Sequence, residues 1–331
     1  MITTYLRSSS IGTFDACNHK AFLEYTLGMR SPPTMATEKG NIVHKVMECL
    51  ANKKKCEQDG KSEFDGEAMG VIKTSDCEPI KLLDMVFAHY TQKSPEICWT
   101  QKEYDECKKL INFALTYQNG LFDPRNLKII TPEQRFDLDI KHDWAIFDYK
   151  LPSGKEVSGR LSIKGTIDLL TEISSDTIEI TDYKTGSRRD WVTNQTKDFK
   201  KLMFDKQLML YFYAASLLYP NIPNILATIF FIKDGGAYTL AFTKNDIPRI
   251  ELMLKSSFED MKAALVPRQN ISFRCKFCHF SKPYKDGNTS VCDFMHREVK
   301  KNGIGVVTEK YGNGGYASYG EGGGRHEKPN T

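Results

Sequence analysis

The sequence predicts an α/β fold in which a mixed β-sheet is flanked by helices. Residues 133–184 contain three runs that alternate apolar and polar side chains, the pattern of half-buried strands. Residues 208–219 form a strongly apolar helical segment, and residues 225–232 form an apolar run typical of a buried strand. Before them, residues 11–27 and 40–50 carry apolar side chains at three- and four-residue steps, which predicts two amphipathic helices.

The bulk composition is that of an ordinary globular protein. The chain has 331 residues, of which 40% are hydrophobic and 27% are charged. Its net charge of +4 is too small to indicate a nucleic-acid partner without other evidence. The first residues lack the apolar core of a signal peptide, and no stretch approaches the ~18 apolar residues of a membrane helix. Nine cysteines, an odd number, fit a reducing compartment. We therefore expect a cytoplasmic protein, in the host cytosol if a virus encodes it.

One domain is expected to occupy residues 1–302. Within it, residues 51–130 have no recognisable motif and are expected to form a mainly helical insertion. Residues 303–331 contain nine glycines in 29 residues and few apolar side chains. Such a composition cannot bury enough apolar surface to offset the entropy of ordering, so a disordered tail is expected there.

The residues with catalytic potential lie on two predicted strands, on either side of a turn at Ser175. In a tight antiparallel hairpin centred there, residues whose numbers sum to 350 face each other, so Asp168 faces Asp182. Alternation puts Lys184 on the face of Asp182, while Tyr183 points away. Two convergent carboxylates suit Mg²⁺ or Mn²⁺, and a nearby amine can orient or deprotonate a water molecule. This arrangement predicts phosphodiester hydrolysis; the alternative is three surface residues with Lys184 merely paired to one carboxylate.

Four motifs together resemble the core of PD-(D/E)XK nucleases in their RecB-like branch. That branch reads G-x-x-D and then D-Y-K-T-G, and this sequence has Gly165-Thr166-Ile167-Asp168 and then Asp182-Tyr183-Lys184-Thr185-Gly186. The segment 40–44 resembles the upstream G-x-x-x-H motif, and the segment 207–211 resembles the downstream Q-x-x-x-Y motif. The resemblance runs in the family's order over residues 8–294 and implies the restriction-endonuclease-like fold.

The resemblance implies a role for each matching residue. Two carboxylates and a histidine would bind the divalent metal, with one backbone carbonyl as a further ligand: Asp168, Asp182, His44 and the carbonyl of Tyr183. Lys184 would assist the nucleophilic water. Gln207 and Tyr211, one helical turn apart, would position DNA or support the site. Glu133, at the start of a β run, is a weaker candidate for the same site.

A group of cysteines forms a second candidate metal site. The C-x-x-C pair Cys275 and Cys278, followed by Cys292, has the spacing that lets sulfur atoms share a metal. Iron–sulfur members of the RecB-like branch, such as AddB-type and CRISPR-associated exonucleases, take one further cysteine from an N-terminal helix, where Cys17 stands here. The resemblance therefore implies a [4Fe–4S] cluster that ties the first helix to the last segment. The long gap before Cys292 departs from the family, and His279 or His296 could replace a cysteine, so a Zn²⁺ site remains the alternative.

Basic and aromatic residues beside these motifs predict where DNA binds. Residues 184–206 hold seven Lys/Arg, among them Arg188 and Arg189, against three Asp, with Trp191 and Phe199 interleaved. Residues 272–301 repeat the balance of seven basic to three acidic residues. Basic side chains follow phosphates and aromatic side chains stack on bases, a combination that suits single-stranded DNA.

The sequence thus predicts a metal-dependent DNA nuclease, an exonuclease directed to single strands or duplex ends. The resemblance implies a role in recombination, repair or replication. No phosphate-loop motif of a helicase is present, so a helicase or recombination partner would be a separate chain. Two alternatives remain: a non-catalytic scaffold that binds DNA ends, and a zinc-containing nucleic-acid-binding protein.

Overall fold

The computed structural model describes residues 1–61, 78–189, 195–284 and 287–312. The chain forms two compact units, each assembled from separate segments. Unit 1 comprises Met1–Pro32, Phe136–Gly165 and Ile247–Thr331, and unit 2 comprises Pro33–Arg135 and Thr166–Asp246. Within the described residues, no helix combines the length and the apolar character needed to cross a membrane.

Unit 1 combines short helices with short strands. Its helices are α1 (Ser8–Ala16), α2 (Asn18–Ala21), α8 (Ile247–Ala263), α9 (Val291–Asn302) and α10 (Ile304–Tyr311). Its strand β1 (Tyr5–Leu6) pairs in parallel with the first residues of β5 (Ser162–Ser174), and β3 (Ile146–Lys150) pairs antiparallel with β4 (Glu156–Arg160).

Two expectations for unit 1 differ from the structure. The helix expected over residues 11–27 is interrupted at Cys17, whose backbone is extended (φ −163°, ψ 108°), and the chain resumes as α2 followed by a π-helical turn at Phe22–Thr26. The tail expected to be disordered from residue 303 begins instead with α10, because Val307 and Thr308 are buried on one side of that helix. The rest of the expected tail, from residue 313, lies outside the described residues.

Unit 2 is built around a mixed sheet, as predicted. Strand β6 (Thr177–Lys184) pairs antiparallel with β5 and parallel with β7 (Asn224–Phe231), and β8 (Gly236–Phe242) pairs antiparallel with β7. Strand β2 (Ile129–Asp139) pairs with β5 on its other side. The parallel step from β6 to β7 requires a crossover, which contains α6 (Phe199–Leu202) and the apolar α7 (Lys206–Leu218).

The remaining helices of unit 2 share one hydrophobic core with the sheet. They are α3 (Met35–Gln58), α4 (Pro79–Lys93) and α5 (Gln101–Thr116), which include most of the described part of the expected helical insertion. Ile42 and Val46 of α3, Leu82 of α4 and Ile111 of α5 are fully buried in the same cluster as Phe230 of β7. This packing fixes α3 against the sheet, and α3 carries His44.

Candidate active site

The hairpin formed by β5 and β6 has the predicted register. Leu169 pairs with Thr181 and Leu170 with Ile180, so the numbers of facing residues sum to 350 as expected. Asp168 and Asp182 stand one residue beyond the Leu169–Thr181 pair. The Asp168 carboxylate reaches the neighbouring strand, where its Oδ2 accepts a 2.8 Å hydrogen bond from the backbone N–H of Tyr183. The predicted register of the hairpin is confirmed up to the Leu169–Thr181 pair, next to the two acidic residues.

The buried carboxylate of Asp182 is held by polar side chains from β6 and α7. Its side chain is almost completely buried, and Lys184 Nζ lies 2.6 Å from its Oδ2. From α7, Gln207 Nε2 donates hydrogen bonds to Asp182 Oδ1 at 3.0 Å and to the Tyr211 hydroxyl at 2.8 Å. The carboxylate of Asp205 accepts from the N–H groups of Gln207 and Leu208 and so caps the start of α7. The structure therefore brings both residues of the Q-x-x-x-Y motif to the hairpin.

His44 approaches the hairpin from α3. Its Nδ1 lies 3.5 Å from Asp168 Oδ2, and its ring packs edge-on against the Tyr183 ring, with the centroids 6.1 Å apart. Burial lowers the pKa of His44, but the Asp168 carboxylate more than offsets burial, so the pKa lies above its ordinary value. One turn earlier in α3, a Cβ at Gly40 would lie 3.1 Å from Thr185 Oγ1, so the helix approaches the end of β6 closely at a glycine.

Glu133 completes a group of potential metal ligands. One ligand atom from each of His44, Glu133 and Asp168 lies within 4.8 Å of the others. Sequence reasoning gave Glu133 little weight because no motif marks it. Its backbone has φ +46°, a left-handed conformation that is uncommon for residues other than glycine and that clusters at functional sites. That conformation has no sequence signature, so the sequence offers Glu133 only as a weaker candidate and the structure places it beside His44 and Asp168.

Nearby positive charges do not fully offset the carboxylates of the site, and the pKa values of two of these carboxylates are raised. Burial, together with the nearby carboxylates of Asp168 and Glu48, raises the pKa of Glu133 to about 7. Burial also raises the pKa of Asp182 to about 6, although Lys184 opposes that shift. Buried carboxylates that crowd together favour the protonated form, and a divalent cation would remove that preference. One imidazole nitrogen and two carboxylate oxygens fit Mn²⁺ or Mg²⁺ chemically. Asp182 is outside this ligand group, and its oxygens contact Lys184 and Gln207.

The two predicted DNA-binding arginines lie on the segment that follows β6. The Arg188 guanidinium lies over the Tyr238 ring, 4.8 Å from its centroid, and the exposed Phe199 ring meets the same tyrosine at 5.3 Å. The backbone N–H of Arg188 donates to Asp234, and Arg189 forms an isolated antiparallel bridge with Thr196. Trp191, expected to contribute here, lies outside the described residues.

The four candidate cysteines all belong to unit 1 and are reduced and partly exposed: Cys17, Cys275, Cys278 and Cys292. Gln269 Nε2 donates to Cys292 Sγ at 3.2 Å, and Cys17 Sγ lies 3.9 Å from the Arg268 carbonyl. Burial raises the pKa of the Cys292 thiol to about 11. Within the described residues, no three ligand atoms of this cluster lie within 4.8 Å of one another.

His19 also connects the first helices of unit 1 to its last segment. Its backbone N–H donates to the Arg268 carbonyl at 3.0 Å, and its Nε2 lies 3.0 Å from the Cys292 carbonyl. Burial, together with nearby His296, lowers the pKa of this histidine to about 4, so the ring is neutral at physiological pH. Sequence reasoning missed His19, because a single histidine two residues after Cys17 carries no distinctive signal.

Comparisons with known proteins were made for the sequence and for the structure. A search of curated proteins finds no match. Among solved structures, the chain is similar to a presumed exonuclease from Eubacterium rectale, with 12% identity, a TM-score of 0.47, and coverage of 86% of this chain and 91% of that one. It is also similar to the protein SSO0001, with 13% identity, a TM-score of 0.29, and coverage of 85% and 96% respectively. The family profile of the PD-(D/E)XK nuclease superfamily matches residues 8–282. The chain therefore belongs to the PD-(D/E)XK nuclease superfamily.

Proposed function

We propose that this protein is a divalent-metal-dependent deoxyribonuclease that acts as an exonuclease on single strands or duplex ends. The observation that carries the proposal is the convergence of His44, Glu133 and Asp168 beside the Asp182–Lys184 ion pair. Three potential ligands and an ammonium group within one site match what metal-assisted hydrolysis of a phosphodiester requires.

The metal would be held by His44, Glu133 and Asp168. A divalent ion bound there polarises a phosphoryl oxygen and makes a water molecule a better nucleophile at neutral pH. The Tyr183 N–H fixes the Asp168 carboxylate in place before a metal arrives. Asp182 is proposed as a further ligand, and the Tyr183 carbonyl as another. For Asp182 to serve as a ligand, one oxygen must be released from Lys184 or Gln207.

Lys184 is proposed to orient the attacking water and to stabilise negative charge that develops on the phosphate. Burial lowers the pKa of this lysine, but Asp182 more than offsets burial and raises the pKa above its ordinary value. The group is therefore a charged ammonium before substrate binds, which favours electrostatic stabilisation over proton abstraction. Gln207 and Tyr211 act through Asp182, because their hydrogen bonds hold the carboxylate against the lysine.

The surface formed by Arg188, Tyr238 and Phe199 supports a single-stranded substrate. Exposed aromatic rings beside an arginine offer stacking faces to unpaired bases, worth about 1–3 kcal/mol per base. Arg189, in the same segment, is proposed to contact phosphate. A role in recombination, repair or replication follows from the RecB-like resemblance, and a helicase would then be a separate partner.

The four cysteines of unit 1 are proposed to hold a [4Fe–4S] cluster. A tetrahedral zinc–thiolate site requires sulfur atoms about 3.8 Å apart, given Zn–S bonds of about 2.3 Å. Within the described residues, no three ligand atoms of the cysteine group lie within 4.8 Å of one another, and the preference for the cluster over zinc rests on the RecB-like resemblance. Anaerobic purification followed by iron, sulfide and zinc analysis tests this assignment. A brown protein with four irons per chain supports it, whereas a colourless protein with stoichiometric zinc would support the alternative.

The nuclease proposal is tested with end-labelled single- and double-stranded oligonucleotides, in Mg²⁺ or Mn²⁺, with Lys184→Ala assayed in parallel. Progressive shortening from one end by the wild type, lost in the variant, is the expected result. If the wild type degrades nothing in either metal, the protein is better described as a DNA-end-binding scaffold.

A further inference from the structure

A cavity of about 400 Å³ opens in unit 2 next to the end of β6, one residue after Lys184. We call it the lysine pocket, and its polar lining consists of Lys39, Glu106, Lys109, Thr185, Gly186 and Lys233. We propose that the lysine pocket binds a phosphate group of the nucleic-acid strand that is hydrolysed at the metal-binding residues. The proposal rests on the proposed nuclease function for the identity of the strand, and it adds a binding subsite to it.

The charges of the lysine pocket favour an anion. Three lysines from three separate elements line it: Lys39 from α3, Lys109 from α5 and Lys233 from the turn between β7 and β8. Lys39 is engaged by the only carboxylate among the lining residues, Glu106. Lys109 and Lys233 are exposed, and within the described part of the chain neither has an ion-pair partner. Two uncompensated ammonium groups that border one cavity attract a phosphate.

The start of α3 adds to this preference. Ala36, in the first turn of this 24-residue helix, lines the lysine pocket. The side chain of Thr34 accepts a hydrogen bond from the N–H of Thr37, and other N–H groups of that turn have no partner inside the helix. Helix N-termini carry partial positive charge and bind phosphate readily. The lysines and the N-terminus of α3 therefore both favour the binding of an anion in the lysine pocket.

The lysine pocket and the metal-binding residues share two structural elements. Thr185 lines the pocket and directly follows Lys184, and His44 lies on α3 a little more than one turn after Lys39. Between these two residues, a Cβ at Gly40 would lie 3.1 Å from Thr185 Oγ1, so α3 is close to the end of β6 at this point. These shared elements are the basis for assigning the lysine pocket to the strand that the metal ligands act on.

The size of the lysine pocket fits a nucleotide unit. About 400 Å³ lies within the range of small-ligand sites and accommodates a phosphate with its sugar. Ala36 and Leu110 supply apolar surface against which a sugar can pack. The bound phosphate is either internal to the strand or at its end, and both present the same chemistry.

The experiment measures binding of fluorescent single-stranded oligonucleotides by anisotropy, in EDTA and over a series of salt concentrations. Two charge-matched double variants are compared: Lys109→Gln with Lys233→Gln, and, as control, Lys108→Gln with Lys128→Gln on exposed positions outside the pocket. Each lost phosphate contact reduces the slope of log affinity against log salt by about 0.7, so the pocket variant, which loses the one proposed contact, should lose about 0.7. The control should keep the wild-type slope. Equal slopes in both variants would overturn the proposal.

Removing the negative charge provides an opposite test. Glu106→Gln frees Lys39 from its ion pair, so binding should tighten and the salt slope should steepen; weaker binding would contradict the proposal.

Oligonucleotides with a 5′-phosphate, a 3′-phosphate or hydroxyl ends identify the source of the phosphate. A defect confined to one phosphorylated end indicates a terminal phosphate, and an equal defect with all three indicates an internal one. Because the assay contains no metal, it remains informative even if the protein hydrolyses nothing.

Discussion

The backbone N–H of Tyr183 donates a 2.8 Å hydrogen bond to Oδ2 of Asp168, across the two strands of the hairpin. The same oxygen lies 3.5 Å from His44 Nδ1 on α3. Three separate segments therefore determine the orientation of one carboxylate without any metal. Because these contacts orient the carboxylate before a metal binds, we expect substitutions at individual residues of the site to have distinct effects.

Replacing Lys184 by alanine should reduce the hydrolysis rate by about 10²–10³-fold, the usual loss when one group that stabilises transition-state charge is removed. DNA affinity measured in EDTA should change little, because Lys184 is engaged by Asp182. Lys128→Ala, which removes an exposed lysine on the same unit, is the matched control and should retain full activity. A Lys184→Ala protein with more than about a tenth of wild-type activity would remove Lys184 from the mechanism.

Substitutions at the proposed ligands should weaken metal binding. Glu133→Gln or His44→Ala should raise the Kd for Mn²⁺ at least about tenfold in calorimetric titrations, because each removes a donor atom from the group. Glu172→Gln, at an exposed ion pair on β5, provides the control and should leave the Kd unchanged. An unchanged Kd in Glu133→Gln would show that this glutamate only packs beside the metal.

Glu133 should make the metal-free protein less stable as the pH rises. Its pKa is raised from an ordinary 4.5 to about 7, so the folded state keeps a proton that the unfolded state releases. Stability is therefore lost between about pH 4.5 and pH 7, by at most about 3 kcal/mol at this residue. Melting temperatures in EDTA at pH 5 and pH 8 measure the effect. The wild type should lose more stability over that interval than Glu133→Gln does, and a parallel decrease in both proteins would contradict the assignment.

Loss of one cluster cysteine should destabilise unit 1. Cys278→Ser is expected to lose bound metal and to melt at a lower temperature, because the cluster would connect segments far apart in the sequence. The exposed thiol of Cys98 belongs to unit 2 and provides the control. Equal metal content in Cys278→Ser and Cys98→Ser would remove Cys278 from the ligand set.

The facing positions of Asp168 and Asp182 could be predicted because a tight turn and side-chain alternation determine hairpin register. Gln207 and Tyr211 could be placed because helical spacing puts them on one face, although their contact with Asp182 depends on how α7 packs. Glu133 is only a weaker candidate from the sequence, since its position depends on an unusual backbone conformation that no sequence pattern indicates.

Two other features were beyond sequence reasoning for similar physical reasons. The break of the first helix at Cys17 depends on tertiary bonding, because the carbonyl of Arg268 accepts from the N–H of His19 just after the break. The lysine pocket gathers residues from three elements whose proximity no local pattern encodes.

The division of two strands between the two units has a consequence for how unfolding spreads along the chain. The backbone passes between units at four places, and two of these, at residues 135–136 and 165–166, lie within the continuous strands β2 and β5. Glu133 precedes the first passage by two residues, and Asp168 follows the second by a similarly short interval. If unit 1 unfolds, the parts of β2 and β5 that belong to it lose their structure. Local unfolding of the remaining parts of these strands then begins at the new strand ends. If oxidation of the four cysteines unfolds unit 1, we therefore expect local unfolding to reach Glu133 and Asp168, two of the proposed metal ligands, before the hydrophobic core of unit 2 unfolds.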